Sequence, residues 1–413
     1  MTTNKNKLKG RLRTAGVTGQ GEQDGAKTLI AIVLSLACFL TVLSQHPTLV
    51  EVGATRLLAL PSWLLVVFVL VLTGVHSISK NVAPVAFFAL CFFLLVSILT
   101  LFLAKPYFES GLTYSFALSI FIFLVGALGA GNVTRKTLYY CSLSYVVAAT
   151  LLAVAVYFLY FYGNDSAFSN GVYAYASKNS LAQIILTAIL LLLVIFRPKS
   201  AMLNLGRYGM VTFLIVFLFM LRSRATMISF AVALLVILLF GKRIGEVRRE
   251  RKAILFAVLI FLLLLVFNGE FRSFFINDIV LAGRSSASVD DVSSGRLSLL
   301  EEVLPLVKEN IFFGVGNYYY DCFPLAAVLQ FGILGAWPLF GAAIYPVYRA
   351  TRPNAFGRVW QFTLLLIALS YFVNGFFECL PPFGPGVKCF FLWLLLGLSV
   401  GRPLDAFDGD DIS

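Results

Sequence analysis

Five short segments of this chain gather residue types suited to holding phosphate and moving protons. Arg222-Ser223-Arg224 sets two guanidiniums in a three-residue link between apolar stretches. Arg offers forked donors and keeps its charge at physiological pH, so the pair suits a phosphate or diphosphate clamp. A charged side chain at bilayer depth costs about 2.5–3.5 kcal/mol on insertion scales, so the plainer reading is snorkelling to lipid phosphates. Residues 293–302 form the second segment. Ser293 or Ser294 is placed to cap a predicted helix that starts near Arg296. A cation in the first turn opposes the helix dipole, so Arg296 calls for an anionic partner, either a ligand or Glu301 or Glu302.

The third segment, residues 312–321, carries a Gly-x-Gly turn, then Tyr318, Tyr319, Tyr320 and Asp321. Tyrosines at a membrane entry are ordinary as an interfacial belt. A carboxylate at the mouth of an apolar span is not, and partial burial would raise its pKa towards that of a general base. Asp321 is therefore the first candidate base. In the fourth, Lys178 closes a polar loop and opens a span, either as a helix-end anchor or as a further positive charge on a phosphate site. In the fifth, residues 374–382, Glu378 is flanked by apolar residues; it is the second candidate base, or the partner of an Arg on the same face.

What must position these residues is a membrane bundle. The 413 residues are 60% apolar and 13% charged, with a mean hydropathy of +0.90. Soluble domains carry about 45–50% apolar and about 25% charged residues, so a water-soluble enzyme is excluded. Apolar stretches of roughly membrane-spanning length fall near 28–44, 57–75, 83–104, 112–130, 137–161, 180–196, 208–221, 225–241, 253–267, 324–348, 359–374 and 384–400. The expected fold is all-α and polytopic, with about twelve transmembrane helices over 28–400 and tails at 1–27 and 401–413. No signal peptide is expected, since residues 1–27 are polar. An even number of spans puts both termini on one side. That side takes most of the Lys and Arg, including Lys5, Arg135, Lys136, Arg197, Arg207, Arg349 and the basic run at 242–252. The bias predicts cytoplasmic termini. All five chemical segments then fall on the opposite face. The long segment at 268–323 on that face should hold short helices over a cavity.

The net charge of +12 fits basic cytoplasmic loops better than nucleic-acid binding. With only His46 and His76 and no Cys-x-x-Cys pair, no metal site is expected. Spacing gives no support to a Cys322–Cys379 disulfide.

Taken in order, these segments resemble the O-antigen polymerase (Wzy) and O-antigen ligase superfamily of bacterial envelope glycosyltransferases. Ser223-Arg224-Ala225 is similar to its Ser-Arg-small element, and Ser294-Gly295-Arg296 to the Arg that follows in the long periplasmic loop. Gly314-Val315-Gly316 with Gln330-Phe331-Gly332-Ile333-Leu334-Gly335 resembles its G-x-G … E-x-G-x-x-G frame. Lys178-Asn179-Ser180-Leu181-Ala182 resembles its N-x-x-A entry to a span. There are two departures. Gln330 stands where the family has Glu, and Asp321-Cys322 stands where the ligase branch has His-Asn. The missing His favours a polymerase.

The resemblance implies a GT-C-like helical fold in the bacterial inner membrane, with its active site facing the periplasm. It would move a glycan from an undecaprenyl-diphosphate carrier onto a sugar hydroxyl of another lipid-linked unit. No nucleotide, metal or other cofactor is implied. The partners would be lipid-linked glycans, membrane lipids and a polysaccharide chain-length regulator. Arg222, Arg224, Arg296 and Lys178 would hold the diphosphate, Asp321 or Glu378 would take the proton, and Tyr318, Tyr319 and Tyr320 would stack on sugars or line the lipid entry. A ligase acting on lipid A-core is the alternative within the class. A lipid-linked glycan flippase lies outside it; transport would call for charges at midplane depth, whereas these cations crowd one boundary.

Overall fold

A computed structural model describes residues 25–74, 79–162, 178–244, 247–281, 295–353, 356–384 and 388–401. Among them there is no β-strand. In chain order the helices are α1 (Gly25–Leu43), α2 (Pro47–Glu51), α3 (Thr55–Thr73), α4 (Ala83–Leu103), α5 (Gly111–Gly129), α6 (Arg135–Tyr160), α7 (Lys178–Val194) and α8 (Ala201–Met220). They continue with α9 (Arg224–Phe240), α10 (Arg248–Phe267), α11 (Gly269–Ser273), α12 (Arg296–Glu309), α13 (Phe323–Ala350), α14 (Arg358–Asn374) and α15 (Phe390–Gly401). Each of the twelve apolar stretches read from the sequence falls on one of these helices.

Length and composition do not confirm all twelve as membrane spans. Among the described residues, seven helices are long and apolar enough to cross a membrane: α1, α3, α4, α5, α6, α8 and α13. An eighth span follows if α10 and the helical segment Gly269–Val280, bent from it by 100°, count as one. Helices α7, α9 and α15 are apolar but shorter. Helix α7 is buried from Ser180 to Val194, and α15 along its whole length. Being sheathed in protein, they need not match the bilayer thickness. The lipid-facing surface is carried by side chains such as Leu57, Leu101, Phe102 and Phe267, all widely exposed. Helix α15 lies against α5 so closely that a Cβ on Gly397 would sit 2.1 Å from the Phe123 carbonyl oxygen. Gly397 and Gly401, one turn apart, form the small face that lets two membrane helices touch backbones.

Two placements correct the sequence reading. Arg207, expected in a basic loop, lies inside α8. It is buried and pairs with Glu250 of α10 at 2.8 Å, while also donating to the Phe196 carbonyl at 2.6 Å. The basic run at 242–252 thus also carries a buried ion-pair partner, Glu250. Removing one partner strands a buried charge. Glu250→Ala should destabilise the bundle by about 3 kcal/mol, read as a lowered thermal midpoint in detergent. The second correction concerns the last span, which begins at Phe390 rather than 384. Residues 375–384 and 388–389 instead fold inwards, and Ser119 of α5 donates to the Phe383 carbonyl at 2.7 Å.

Helix α13 is broken at Gly332 (φ 65°, ψ 179°). The break exposes backbone groups, and the segment after α12 pairs with them as a strand would. Val315 N donates to Leu329 O at 2.8 Å, Gly316 N to Gln330 O at 3.0 Å and Ile333 N to Ile311 O at 2.8 Å. A Cβ on Gly332 would lie 2.1 Å from Phe312 O, and one on Gly314 would lie 2.4 Å from Gln330 O. Both glycines also have positive φ. The spaced glycines of the sequence frame are therefore the two sides of one docking. Lys105 and Tyr107 hold it from outside, donating to Gly314 O at 2.6 Å and Phe313 O at 2.9 Å. Gly332→Ala should cost about 3 kcal/mol or more, from steric overlap and an unfavourable φ together. The expected result is poor accumulation or a sharply lowered thermal midpoint.

Candidate active site

The docked segment sets Tyr318, Tyr319, Tyr320 and Asp321 at one end of the bundle, in front of α13. Gln330 in α13 fixes the entry to this run. Its amide nitrogen donates to Tyr318 O at 2.6 Å, and its amide oxygen accepts from the Ser110 hydroxyl. A Gln at this position supplies a donor and an acceptor, and both are used.

Arg296 opens α12 after Gly295, whose φ of 75° turns the chain into the helix. Its guanidinium does not pair with Glu301 or Glu302. It reaches Asp321 Oδ2 at 3.3 Å and Glu378 Oε1 at 3.7 Å, and so lies between two carboxylates distant in sequence. Ser293 and Ser294, the expected caps, lie outside the described residues, as do residues 163–177 ahead of Lys178. Asp321 also accepts from the Tyr319 hydroxyl. Tyr320 is buried, with its hydroxyl 3.5 Å from the Arg296 carbonyl oxygen. Tyr318 turns away and donates to Glu302 at 2.7 Å. Only Tyr319 of the three touches the carboxylate pair.

Glu378 is the most perturbed acid of this group. Burial, followed by the neighbouring Asp321 charge, raises its pKa to about 7, against the opposing pull of Arg296, Lys388 and Lys178. Its Oε1 accepts from the Asn179 amide at 2.7 Å. The start of α7 therefore bears on the same carboxylate through two consecutive residues, Lys178 by charge and Asn179 by hydrogen bond. Asn179 was visible in the N-x-x-A motif, but sequence reasoning gave it no role. Lys388 went unnoticed because the sequence placed it inside the last span. It is buried in the inward fold just before α15. Cys379 follows Glu378, and burial pushes its thiol up to about 12, which removes it as a nucleophile. Cys322 and Cys379 are both free thiols.

Arg222 and Arg224 arrive from a different side. Arg222 is only 3% exposed and holds the left-handed conformation (φ 47°). It is folded into protein, contrary to the snorkelling alternative. A non-glycine residue in that region costs about 1–2 kcal/mol, and such strain clusters at functional sites. Arg224 begins α9 and is half-buried. Between them Ser223 shares a hydrogen bond with Thr226 at 3.0 Å, and Thr226 accepts from Asn374 at 3.3 Å. Asn374 accepts from Gln183 at 2.7 Å and, through its backbone oxygen, from Glu378 N at 3.0 Å. A buried polar chain thus links the Arg222–Arg224 turn, through α14, to Glu378 and α7.

A comparison with curated proteins found no match. A family model described as O-antigen ligase matches residues 208–332. That stretch runs from α8 to the break in α13. It contains Arg222, Arg224, Arg296, the three tyrosines and Asp321, and leaves Lys178, Asn179 and Glu378 outside. Over that stretch the chain is similar to the O-antigen ligase family, in line with the resemblance of its motifs to the O-antigen polymerase and ligase superfamily.

Proposed function

We propose that the protein is a polysaccharide polymerase of this superfamily. It transfers an undecaprenyl-diphosphate-linked glycan onto a sugar hydroxyl of another lipid-linked repeat unit. The observation that carries the reading is the Arg296 guanidinium set between Asp321 and Glu378. One end of the bundle thereby holds a cation for a leaving diphosphate beside carboxylates for an incoming hydroxyl. The absence of His at Asp321-Cys322 favours the polymerase over the ligase.

In the transfer, the acceptor hydroxyl attacks the anomeric carbon and its proton passes to a carboxylate. The bond from that carbon to the diphosphate oxygen breaks, and the lipid diphosphate leaves with the electron pair. Negative charge grows on the diphosphate, and fixed cations in a water-poor site stabilise it without reorganising. Arg224 and Arg296 supply this stabilisation. Arg222 and Lys178 add positive potential from within the protein. The donor is already activated, so neither nucleotide nor metal is needed. The base is Glu378 ahead of Asp321, reversing the order read from sequence. A carboxyl with a pKa near 7 both takes and returns a proton close to neutral pH. Asp321 accepts from Tyr319 and Arg296 and positions them.

The Lys and Arg bias supports cytoplasmic termini and, with them, a site on the periplasmic side of the inner membrane. The test is to incubate purified protein with a lipid-diphosphate-linked repeat unit alone. The expected product is a ladder spaced by one repeat, formed without nucleotide sugar. No ladder here, but a single transfer when lipid A-core is added in a parallel incubation, makes the protein a ligase.

A further inference from the structure

At the opposite end of the bundle lies a cavity of about 730 Å³. It opens where α6 and α14 begin and α7 ends. Helices α7 and α14 each span 17 residues between this end and the site, about 25 Å at 1.5 Å per residue. The cavity is lined by three cations, Arg135, Lys136 and Arg358, and by apolar and aromatic side chains that include Tyr139, Ile195 and Trp360. Among the described residues, no Asp or Glu lines it.

The placement of the cations runs against local preference. Arg135 and Lys136 open α6, Arg358 opens α14, and neither helix has an acid in its first turn. Helix N-termini favour anions and disfavour cations. Here two such ends and three cations converge on one hollow, which concentrates positive potential there. The Arg135 guanidinium runs close beside Gly357, a residue at φ 93°: its Nη2 would lie 3.1 Å from a Cβ there.

We propose that this cavity binds the phosphate headgroup of an anionic phospholipid, with the acyl chains against its apolar and aromatic side chains. A hollow of this size is in the range of about 300–1,000 Å³ usual for small-molecule sites, and far exceeds a lone phosphate. Its mixed lining matches a molecule with a charged head and an apolar body. On the topology proposed above, this is the cytoplasmic leaflet, where basic pockets between helices recruit anionic lipids.

The test uses full-length protein in neutral detergent. Binding of dioleoyl phosphatidylglycerol is compared with that of dioleoyl phosphatidylcholine by native mass spectrometry. The wild type should prefer phosphatidylglycerol, by about fivefold per cation engaged. Arg358→Gln, at an exposed position, should lose about fivefold of that preference, and Arg135→Gln/Lys136→Gln/Arg358→Gln nearly all of it. Unchanged thermal midpoints in phosphatidylcholine confirm that the variants fold, and Arg358→Gln carries the test if the triple variant does not. Equal preference in the wild type and Arg358→Gln overturns the proposal. Displacement of phosphatidylglycerol by equimolar inorganic phosphate also overturns it, in favour of a free-anion site. Neither outcome bears on the transferase reading, whose assay concerns the far end of the bundle.

Discussion

Arg296→Ala abolishes polymer while protein level stays intact: this is the expected result, with turnover down by about 10²–10³-fold, as for loss of one donor to a developing anion. Two losses combine. The leaving diphosphate loses a fixed cation that lies 3.3 Å from Asp321 and 3.7 Å from Glu378. The two carboxylates also lose the charge that separates them, so Glu378 holds its proton more tightly still. Arg296→Lys keeps the charge but replaces a planar fork with a single ammonium that cannot serve both carboxylates in the same way. Its recovery should be partial. Product ladders, read beside an immunoblot for protein level, decide the matter. Full-length polymer in Arg296→Ala would remove the residue from the site.

Much of this arrangement was legible in the sequence because membrane physics is written locally. An apolar run marks a helix wherever it falls, so all twelve runs became helices. Whether a helix is long enough to span depends on what surrounds it, and α7 and α15 are shielded by neighbours that no local pattern reveals. Arg296 drew attention because a cation in a first turn is out of place. Its true partners lie 25 and 82 residues away, beyond any helical spacing, so the local alternatives Glu301 and Glu302 looked equally good. The glycines at 314 and 332 could be recognised by resemblance, but their reason is a backbone docking between segments 18 residues apart. Lys388 was hidden because hydropathy averages over a window. One lysine beside Phe390, Phe391 and Leu392 reads as part of a span, whereas the chain folds inwards there and starts its helix two residues later. Arg207 was missed for the converse reason: with Glu250 as partner, a charged residue can sit inside a helix.

The pH profile separates the two candidate bases. If Glu378 takes the acceptor's proton it must be ionised. Turnover at low substrate then rises tenfold per pH unit below about 7 and levels above it. Glu378→Gln should remove this limb and cost about 10²–10⁴-fold. The neighbours move the limb in directions that charge alone dictates. The Asp321 carboxylate raises the Glu378 pKa, so Asp321→Asn should shift the limb to lower pH. Lys388 lowers it, so Lys388→Met should shift the limb to higher pH at unchanged protein level. Opposite shifts from residues 67 positions apart are not expected of a general loss of fold. They require that both charges act on one titrating carboxyl. If instead Asp321→Asn collapses turnover at every pH while Glu378→Gln keeps a working limb, Asp321 is the base and Glu378 serves to hold Arg296 in place.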